Sequence, residues 1–191
     1  MASFTFLDAT FVCWLVLGFY WLVNAANTKK TVYEQKYVQR FLTSIGLIVG
    51  FMLIYSSTND TNWISTRIIP QTMLSGVIGL IVCAGGVAFA IWARWTLGRN
   101  WSSAVTIKKN HELVQTGPYT IVRHPIYSGF LLAVLGTAIA LGQVSGFLAV
   151  LLVFGSFLYK LKQEEKLMSQ QFPKLYPLYK KRVKALIPHI I

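Results

Sequence analysis

Residues 125–161 read PIYSGFLLAVLGTAIALGQVSGFLAVLLVFGSFLYKL, and this stretch decides the fold. It is predominantly apolar, and its main interruption is Gly142-Gln143, with Ser145-Gly146 close behind. A helix that crosses a bilayer needs about 20 apolar residues. The stretch is too long for one such helix and suits two helices joined by a tight turn at Gly142 to Ser145. The sequence therefore predicts a helical hairpin inside a membrane.

Three more apolar runs precede this stretch, at about Phe4 to Val23, Phe41 to Tyr55 and Met73 to Trp92. The whole chain of 191 residues is 54% hydrophobic, with a mean hydropathy of +0.53. A soluble domain is usually about 45–50% apolar. The fold class expected is thus an all-α integral membrane protein of about five transmembrane helices, followed by C-terminal helices. Trp14, Tyr20 and Trp21 supply candidate anchors at the membrane interface.

The third apolar run is rich in glycine, at Gly76, Gly79, Gly85 and Gly86. Small residues let neighbouring helices in a membrane approach closely. We therefore expect the backbone of this helix to touch a neighbour.

The charge is strongly positive, with 18 Lys and Arg against 6 Asp and Glu, a net charge of +12. In a soluble protein this would suggest nucleic acid as a partner. Here all the Lys and Arg except Arg67 lie in three polar segments, at 24–40, at 94–124 and from Lys160 onward. Positive loops stay on the cytoplasmic side. The pattern predicts an outside N-terminus, a cytoplasmic C-terminus and contact with membrane lipid, with no nucleic acid.

The densest polar motif is Gly117-Pro118-Tyr119-Thr120-Ile121-Val122-Arg123-His124-Pro125-Ile126-Tyr127. Pro125 suits the first helical position, so Arg123 and His124 should lie at the start of the fourth span, where the helix favours an anion. The hairpin should return Glu164 and Glu165 to the same rim. A zwitterionic ligand would fit this pair of charges, but an Arg-to-Glu salt bridge or contact with lipid headgroups would also explain the residues.

The polar segments resemble a known family over roughly the second half of the chain. The matching series is Leu97-Gly98-Arg99-Asn100-Trp101-Ser102, His111-Glu112-Leu113-Val114, Gly117-Pro118-Tyr119, Arg123-His124-Pro125-Ile126-Tyr127, Glu164-Glu165, Phe172, Tyr176, Tyr179, Arg182-Val183 and Ile187-Pro188. It resembles the isoprenylcysteine carboxyl methyltransferases and the related phospholipid methyltransferases. Pro173 and Ala185 depart from the family pattern in the tail.

The resemblance implies methyl transfer from S-adenosylmethionine, with S-adenosylhomocysteine as product, to a lipophilic or prenylated acceptor, most simply an isoprenylcysteine carboxylate. It implies a cofactor-binding loop and active site on the cytoplasmic side, within a catalytic region at 94–191 that follows three transmembrane helices at 1–93. No metal is expected. By matching position, the cofactor would be held by His111, Glu112, Leu113, Val114, Tyr119, His124, Pro125, Ile126, Tyr127 and Glu164. The catalytic candidates are Arg123, Lys160 and Glu165.

Elementary chemistry is compatible with these roles. A sulfonium donor is cationic, so the rings of Tyr119 or Tyr127 can favour it. A carboxylate acceptor is ionised at pH 7 and needs no general base, and Lys160 or Arg123 can orient it. A phospholipid amine would first have to lose a proton, to a neutral His or to Glu165.

Two other classes of function fit the same topology. Sterol-type membrane reductases use NADPH and a His-Pro-x-Tyr segment, but theirs reads His-Pro-Asn-Tyr followed closely by Glu. This chain has Ile126 at the third position and continues Ser128-Gly129-Phe130, which favours the transferase. A non-catalytic membrane scaffold is the third possibility.

Overall fold

The apolar runs fold as long helices. The computed structural model describes residues 5–25, 31–34, 37–56, 62–101, 106–108 and 112–191. The helices are α1 (Phe6–Val23), α2 (Tyr37–Ser56), α3 (Met73–Leu97), α4 (Pro125–Leu141), α5 (Val144–Gln171) and α6 (Leu175–Arg182).

The predicted hairpin is confirmed, and Gly142 makes its turn. Gly142 has a φ of 70°, which glycine adopts without strain. Its carbonyl oxygen accepts hydrogen bonds from the backbone N–H groups of Ile68 and Ile69, at 2.9 and 3.1 Å. A side chain at 142 would lie 2.5 Å from the carbonyl oxygen of Ile69. The turn is thus held by the segment that enters α3.

Among the described helices, three are long and apolar enough to cross a membrane, namely α1, α3 with its following turn, and α5. Ser44–Tyr55 within α2 and Pro125–Leu141 are shorter apolar helices. Large apolar side chains also face outward, as on α1, where Phe19 is 70% exposed. Such a surface belongs in lipid. The protein is a multi-pass integral membrane protein, while the count of five spans stays a prediction.

Two features of the described chain differ from expectation. First, the fifth apolar run should have ended near Leu161, but α5 continues to Gln171 because residues 162–171 contain neither Gly nor Pro. Second, two short strands, β1 (Thr31–Glu34) and β2 (Thr106–Lys108), pair antiparallel. They fall in the polar segments, where no apolar periodicity signals a strand. Their pairing brings together two of the basic segments.

The helices α3 and α4 touch along their backbones. A Cβ added at Gly86 would lie 2.4 Å from the backbone nitrogen of Ala133 and 2.5 Å from the carbonyl oxygen of Gly129. One added at Gly136 would lie 2.2 Å from the backbone nitrogen of Cys83. Real Cβ atoms do not approach so closely, so these positions admit only glycine without a shift of the helices. The expected close packing of the third span is confirmed.

The glycines of α3 do not all serve this contact. Gly79 faces α4 and meets Ala140 and Gly136, whereas Gly76 faces the ring of Phe6 on α1. A Cβ at Gly85 would meet nothing within 4 Å. The contact with α4 therefore depends on Gly79 and Gly86.

Trp14, one of the three candidate interface anchors, lies in the core. Its side chain is 8% exposed, and its indole Nε1–H donates a hydrogen bond of 3.0 Å to Oγ1 of Thr137 on α4. Its ring packs against Phe51 and Phe130, with centroids 4.8 and 5.7 Å apart. A buried indole needs such a partner for its N–H. The expectation failed because an aromatic residue in a span has the same sequence signature whether it faces a neighbour or the interface.

Candidate active site

The polar motif lies where α4 begins and α5 ends. His124 is the residue before α4, and Pro125 is its first helical residue, as predicted. The missing N–H of proline costs nothing at this position, and its fixed φ suits the helix. Glu164 and Glu165 lie on α5 beside His124, because the hairpin returns the chain to its starting level. The sequence prediction of one shared rim is confirmed.

Glu164 faces the aromatic part of this rim. Its Oε1 accepts a hydrogen bond of 2.5 Å from the hydroxyl of Tyr127, and its Oε2 lies 3.4 Å from Nδ1 of His124. The rings of His124 and Tyr127 are parallel within 3°, with centroids 5.5 Å apart. Tyr127 in turn stacks on Phe157, at 4.6 Å. The carboxylate is therefore held by groups that are themselves fixed by ring packing.

Glu165 faces the other way, into a charged network with the C-terminal tail. Arg123 Nε donates to its Oε1 at 2.9 Å, and a second guanidinium nitrogen also bonds that oxygen. Lys180 Nζ lies 2.7 Å from Oε2. Arg123 also donates to the backbone carbonyl oxygens of Lys180 and Val183. The Arg-to-Glu salt bridge considered from the sequence is thus present.

The backbone reinforces this link between the motif and the tail. The N–H groups of Arg123 and His124 donate to the carbonyl oxygens of Lys184 and Ala185, at 2.7 and 2.9 Å. Ser128 Oγ donates to the carbonyl oxygen of Leu186 at 2.6 Å. The tail therefore closes over the start of α4.

His124 is poised to carry a positive charge. Burial alone would lower the pKa of its imidazole, but Glu164 and Glu165 outweigh this and raise the pKa above its usual value. Its Nε2 is buried and makes no hydrogen bond to any described residue, and Oε1 of Glu165 lies 3.5 Å away. This distance is long for a hydrogen bond, so Glu165 holds the imidazole on this side by a long ion pair.

A cavity of about 340 Å³ opens between these groups. Ten of its lining residues are polar or charged, namely Asn100, Glu112, Tyr119, Arg123, His124, Tyr127, Lys160, Glu164, Tyr176 and Tyr179. The other ten are mainly apolar, namely Trp21, Leu47, Leu97, Trp101, Leu113, Val114, Ile126, Phe130, Phe157 and Met168. Such a cavity is shaped for a molecule with a charged end and an apolar end.

Two tyrosines on the wall, Tyr119 and Tyr179, stay protonated at neutral pH. Burial raises the pKa of Tyr179 to about 12 and also raises the pKa of Tyr119. The hydroxyl of Tyr179 donates to the backbone carbonyl oxygen of Tyr119 at 2.6 Å. This bond ties α6 to the wall of the cavity.

A second buried atom without a hydrogen bond belongs to Asn100, which lines the wall. Among the described residues, nothing forms a hydrogen bond with Oδ1 of Asn100. The neighbouring Trp101 is held by Arg94, whose guanidinium carbon lies 4.5 Å from the ring centroid. Arg94 is 2% exposed and donates to the carbonyl oxygens of Gly98 and Asn24. Arg94 therefore holds Trp101 in place on the wall, and the neighbouring Asn100 carries an acceptor oxygen that no described residue uses.

Most residues singled out in the sequence lie on this wall. They are Glu112, Leu113, Val114, Tyr119, Arg123, His124, Ile126, Tyr127, Lys160 and Glu164. Pro125 is buried in the first turn of α4, and Glu165 belongs to the charged network behind the wall. His111 lies outside the described residues. Within the described residues, no group of three or more His, Cys, Asp or Glu side chains is arranged to hold a metal ion.

Other wall residues carried weaker signals. Asn100, Trp101, Tyr176 and Tyr179 stand in the motif segments, so their position could have been expected. Trp21 and Leu47 come from α1 and α2, which carry no motif. Only the packing of the helices reveals that they reach the cavity.

Comparison with known proteins shows which proteins the chain is related to. Residues 74–175 match the family model described as phospholipid methyltransferase. The chain is 34% identical over 98 residues to protein-S-isoprenylcysteine O-methyltransferase B of Arabidopsis thaliana, covering 50% of each chain. It is 26% identical over 147 residues to the cobalt-zinc-cadmium resistance protein CzcN of Cupriavidus metallidurans, covering 75% of this chain and 62% of that protein.

A solved structure shares the fold. The eukaryotic intramembrane Ras methyltransferase, an isoprenylcysteine carboxyl methyltransferase, superposes with a TM-score of 0.51 at 24% identity, over 83% of this chain and 55% of that one. The chain thus spans about half to two thirds of these relatives. The resemblance noted in the sequence is confirmed, and because the family model covers more than half of the chain, the protein belongs to the phospholipid methyltransferase family.

Proposed function

We propose that the protein is an S-adenosylmethionine-dependent carboxyl O-methyltransferase acting on an isoprenylcysteine-like acceptor in the membrane. The observation that carries this proposal is a cavity lined both by the charged pair of His124 and Glu164 and by the aromatic pair of Phe130 and Phe157. A water-soluble donor and a lipophilic acceptor need opposite surroundings, and this cavity offers both.

The residues on the polar wall suit the cofactor. An adenosyl amino acid carries hydroxyls, amines and a carboxylate, which need donors and acceptors inside the protein. Asn100 Oδ1, which makes no hydrogen bond to a described residue, offers an acceptor, and His124 adds positive charge to the wall. Glu164 accepts from an ammonium or ribose hydroxyls, beside Glu112, Leu113, Val114, Tyr119 and Ile126. When bound, the cofactor supplies an electrophilic methyl group on a sulfonium, which the acceptor oxygen takes as the carbon–sulfur bond breaks.

Lys160 is our candidate for holding the acceptor carboxylate. It lines the cavity on α5, one turn before Glu164, and its Nζ lies 5.4 Å from the ring centroid of Tyr127. A cation there can face an acceptor anion while the apolar chain of the acceptor lies against Phe157. Because a carboxylate is already ionised at pH 7, alignment and exclusion of water are the main tasks left to the protein.

Arg123 and Glu165 act in this proposal as positioning residues. Their charges are satisfied by each other, by Lys180 and by carbonyl oxygens of the tail. Since Glu165 is paired with two cations, removal of a proton from an amine is a poor task for it. This favours a carboxylate acceptor over the phospholipid amine that the family name suggests.

The proposal extends to topology. We place the N-terminus outside and the C-terminus and cavity in the cytoplasm, following the basic segments, with anionic lipid headgroups around α6. The region 94–191 is the catalytic part. The helices before it add Trp21 and Leu47 to the apolar wall.

The first test is isothermal titration of the detergent-purified protein with S-adenosylhomocysteine, with NADPH as the control ligand. We expect micromolar binding of S-adenosylhomocysteine and none of NADPH. Glu164→Ala should weaken binding by about tenfold, the loss expected for one charge-assisted hydrogen bond, while Gln170→Ala, exposed on the same helix, should not. NADPH binding without S-adenosylhomocysteine binding would favour a reductase instead.

The second test identifies the acceptor class. The protein is incubated with labelled S-adenosylmethionine and either N-acetyl-S-farnesylcysteine or phosphatidylethanolamine. We expect base-labile methyl ester on the former and no label on the latter. Labelled lipid amine alone would replace the carboxyl assignment with an amine assignment.

A further inference from the structure

We propose that the last turn of the tail, residues 187–191, inserts into a leaflet of anionic lipid, and that this contact holds the tail closed over the start of α4. The partner is a bilayer surface whose phosphate headgroups carry a net negative charge. The inference goes beyond the proposed function by making the surrounding lipid part of what holds the cavity wall in place. Its second half rests on that function, because it takes S-adenosylhomocysteine as a probe.

The tail returns to the depth of the membrane-spanning helices just before this turn. The side chain of Leu186 is 2% exposed and belongs to a buried cluster with Leu161 of α5. Leu131 of α4 and Phe154 of α5 pack against the same cluster. Both of these residues lie inside apolar helices. The turn that follows Leu186 therefore lies beside the bilayer.

The turn presents apolar side chains to the outside. Ile190 is 71% exposed and Ile187 is 43% exposed. The backbone N–H of Ile190 donates to the carbonyl oxygen of Ile187 at 3.1 Å, so the turn is folded while its isoleucines face outward. Exposed cations precede it in the chain, at Lys181, Arg182 and Lys184. Exposed apolar side chains next to cations are the pattern by which proteins bind the interface of an anionic membrane.

The chain directly before the turn holds the motif at the start of α4. Arg123 and His124 donate their backbone N–H groups to the carbonyl oxygens of the two residues before Leu186. Ser128 Oγ donates to the carbonyl oxygen of Leu186 itself. Lipid that fixes the turn therefore keeps these acceptors within reach of their donors. Because a partner that binds one state of a protein more tightly shifts the protein towards that state, we expect anionic lipid to tighten cofactor binding.

The first measurement is hydrogen exchange of the protein in lipid nanodiscs without cofactor. One set of discs contains phosphatidylcholine alone, and the other contains an equal mixture of phosphatidylcholine and phosphatidylglycerol. Residues 183–191 should exchange about fivefold more slowly in the mixed discs, the scale of the attraction of one Lys or Arg to an anionic surface. Residues 62–72 pack on the hairpin turn at the other end of α4, and they should exchange equally in both discs.

One substitution in the turn tests the contact. Ile190→Ser removes the more exposed isoleucine and should abolish most of the protection, whereas Ile190→Leu should keep it. The matched control is Trp63→Ser, which should also keep it, because Trp63 is equally exposed, at 71%, but lies before α3.

Equal exchange of the tail in the two discs would overturn the proposal, and so would an Ile190→Ser variant that keeps the protection of wild type. Exchange that differs between no lipids, but slows in detergent as the protein concentration rises, would assign the turn to a second copy of the chain and would also overturn it.

The second measurement is isothermal titration of S-adenosylhomocysteine in the same discs. This ligand has no net charge at pH 7, so the charge of the discs does not concentrate it. Its Kd should be lower in the mixed discs, by no more than the factor seen in exchange, and Ile190→Ser should remove the difference. Equal Kd values would overturn the coupling between lipid and cavity.

The two measurements separate this inference from the proposed function. A protected tail with no S-adenosylhomocysteine binding in either disc would refute the proposed function and leave the membrane contact standing. Binding of S-adenosylhomocysteine without protection of the tail would do the reverse.

Discussion

The helix α4 is held in two different ways along its length. Within the bundle, Gly129 and Gly136 bring its backbone against α3, where the nearest atoms belong to Gly86, Ala90, Gly79 and Cys83. At its first turn, Arg123 and His124 are held by carboxylates and by carbonyl oxygens of the tail. Lipid is as apolar as a leucine side chain, so helices in a membrane gain from close packing and not from hydrophobic burial. Charged side chains are therefore concentrated at the rim, around the first turn of α4, where they can be paired.

This difference implies two kinds of failure. Damage within the bundle should separate helices and lower stability without regard to pH. Damage at the rim should leave a buried charge unpaired and also disturb the cavity.

The largest effect is expected at the rim, from Glu165→Ala. The substitution leaves the buried guanidinium of Arg123 without its carboxylate, and loss of one partner of a buried pair costs about 3–5 kcal/mol. Thermal unfolding in detergent should show a clear fall in Tm, whereas the exposed Gln170→Ala should show none. Replacing both partners, as Arg123→Met with Glu165→Met, should recover part of the loss. A Tm for Glu165→Ala equal to that of wild type would mean that the network contributes nothing.

The next largest effect is expected at the backbone contact between α3 and α4. Two adjacent glycines of α3, Gly85 and Gly86, test it. Gly86→Ala places a Cβ 2.4 Å from the backbone nitrogen of Ala133, whereas Gly85→Ala meets nothing within 4 Å. Overpacking of this kind costs about 1–3 kcal/mol. We expect a lower Tm for Gly86→Ala and an unchanged or slightly higher Tm for Gly85→Ala. Equal behaviour of the two variants would argue against backbone contact between α3 and α4.

The same two regions differ in how far the sequence predicts them. The bundle follows from local signals, because apolar length marks the helices and Gly142 marks the turn. Which glycine faces a neighbour does not follow, since Gly85 and Gly86 look alike in the sequence. Trp14 was misplaced for the same reason. The strands β1 and β2 were missed because their partners are distant in the chain and lie in polar segments.

At the rim, the motif predicted most of the polar wall, because the hairpin has to bring α5 back to the start of α4. The return of the tail was not predictable in the same way. Its hydrogen bonds to Arg123 and His124 are made by carbonyl oxygens of Lys184 and Ala185, and a carbonyl carries no sequence signal. The contribution of α1 and α2 to the cavity was equally unpredictable, since Trp21 and Leu47 are ordinary residues of apolar helices.

A smaller effect at the rim should depend on pH. Because Glu164 and Glu165 raise the pKa of His124, its charged form stabilises the folded protein. This contribution is fully present below about pH 6.5, the ordinary pKa of histidine, and is lost as the pH rises through the raised value. The Tm of wild type should therefore fall as the pH rises through the pKa of His124. The Tm of His124→Gln should fall less over the same pH range. Parallel profiles for the two proteins would show that His124 does not carry the charge.

The smallest effect lies deep in the bundle, where one polar contact interrupts the apolar packing. Trp14 donates to Thr137, whose hydroxyl donates in turn to the carbonyl oxygen of Ala133 at 2.9 Å. Because Thr137 keeps its bond to Ala133 when Trp14 is replaced, Trp14→Phe should leave no orphaned hydroxyl. A double-mutant cycle with Thr137→Val should give a coupling energy of about 0.6 kcal/mol, the average for hydrogen bonds between membrane helices. The free energy of unfolding in mixed detergent measures it. A coupling near zero would mean that ring packing alone holds Trp14, and a coupling comparable with the loss in Glu165→Ala would remove the distinction between bundle and rim.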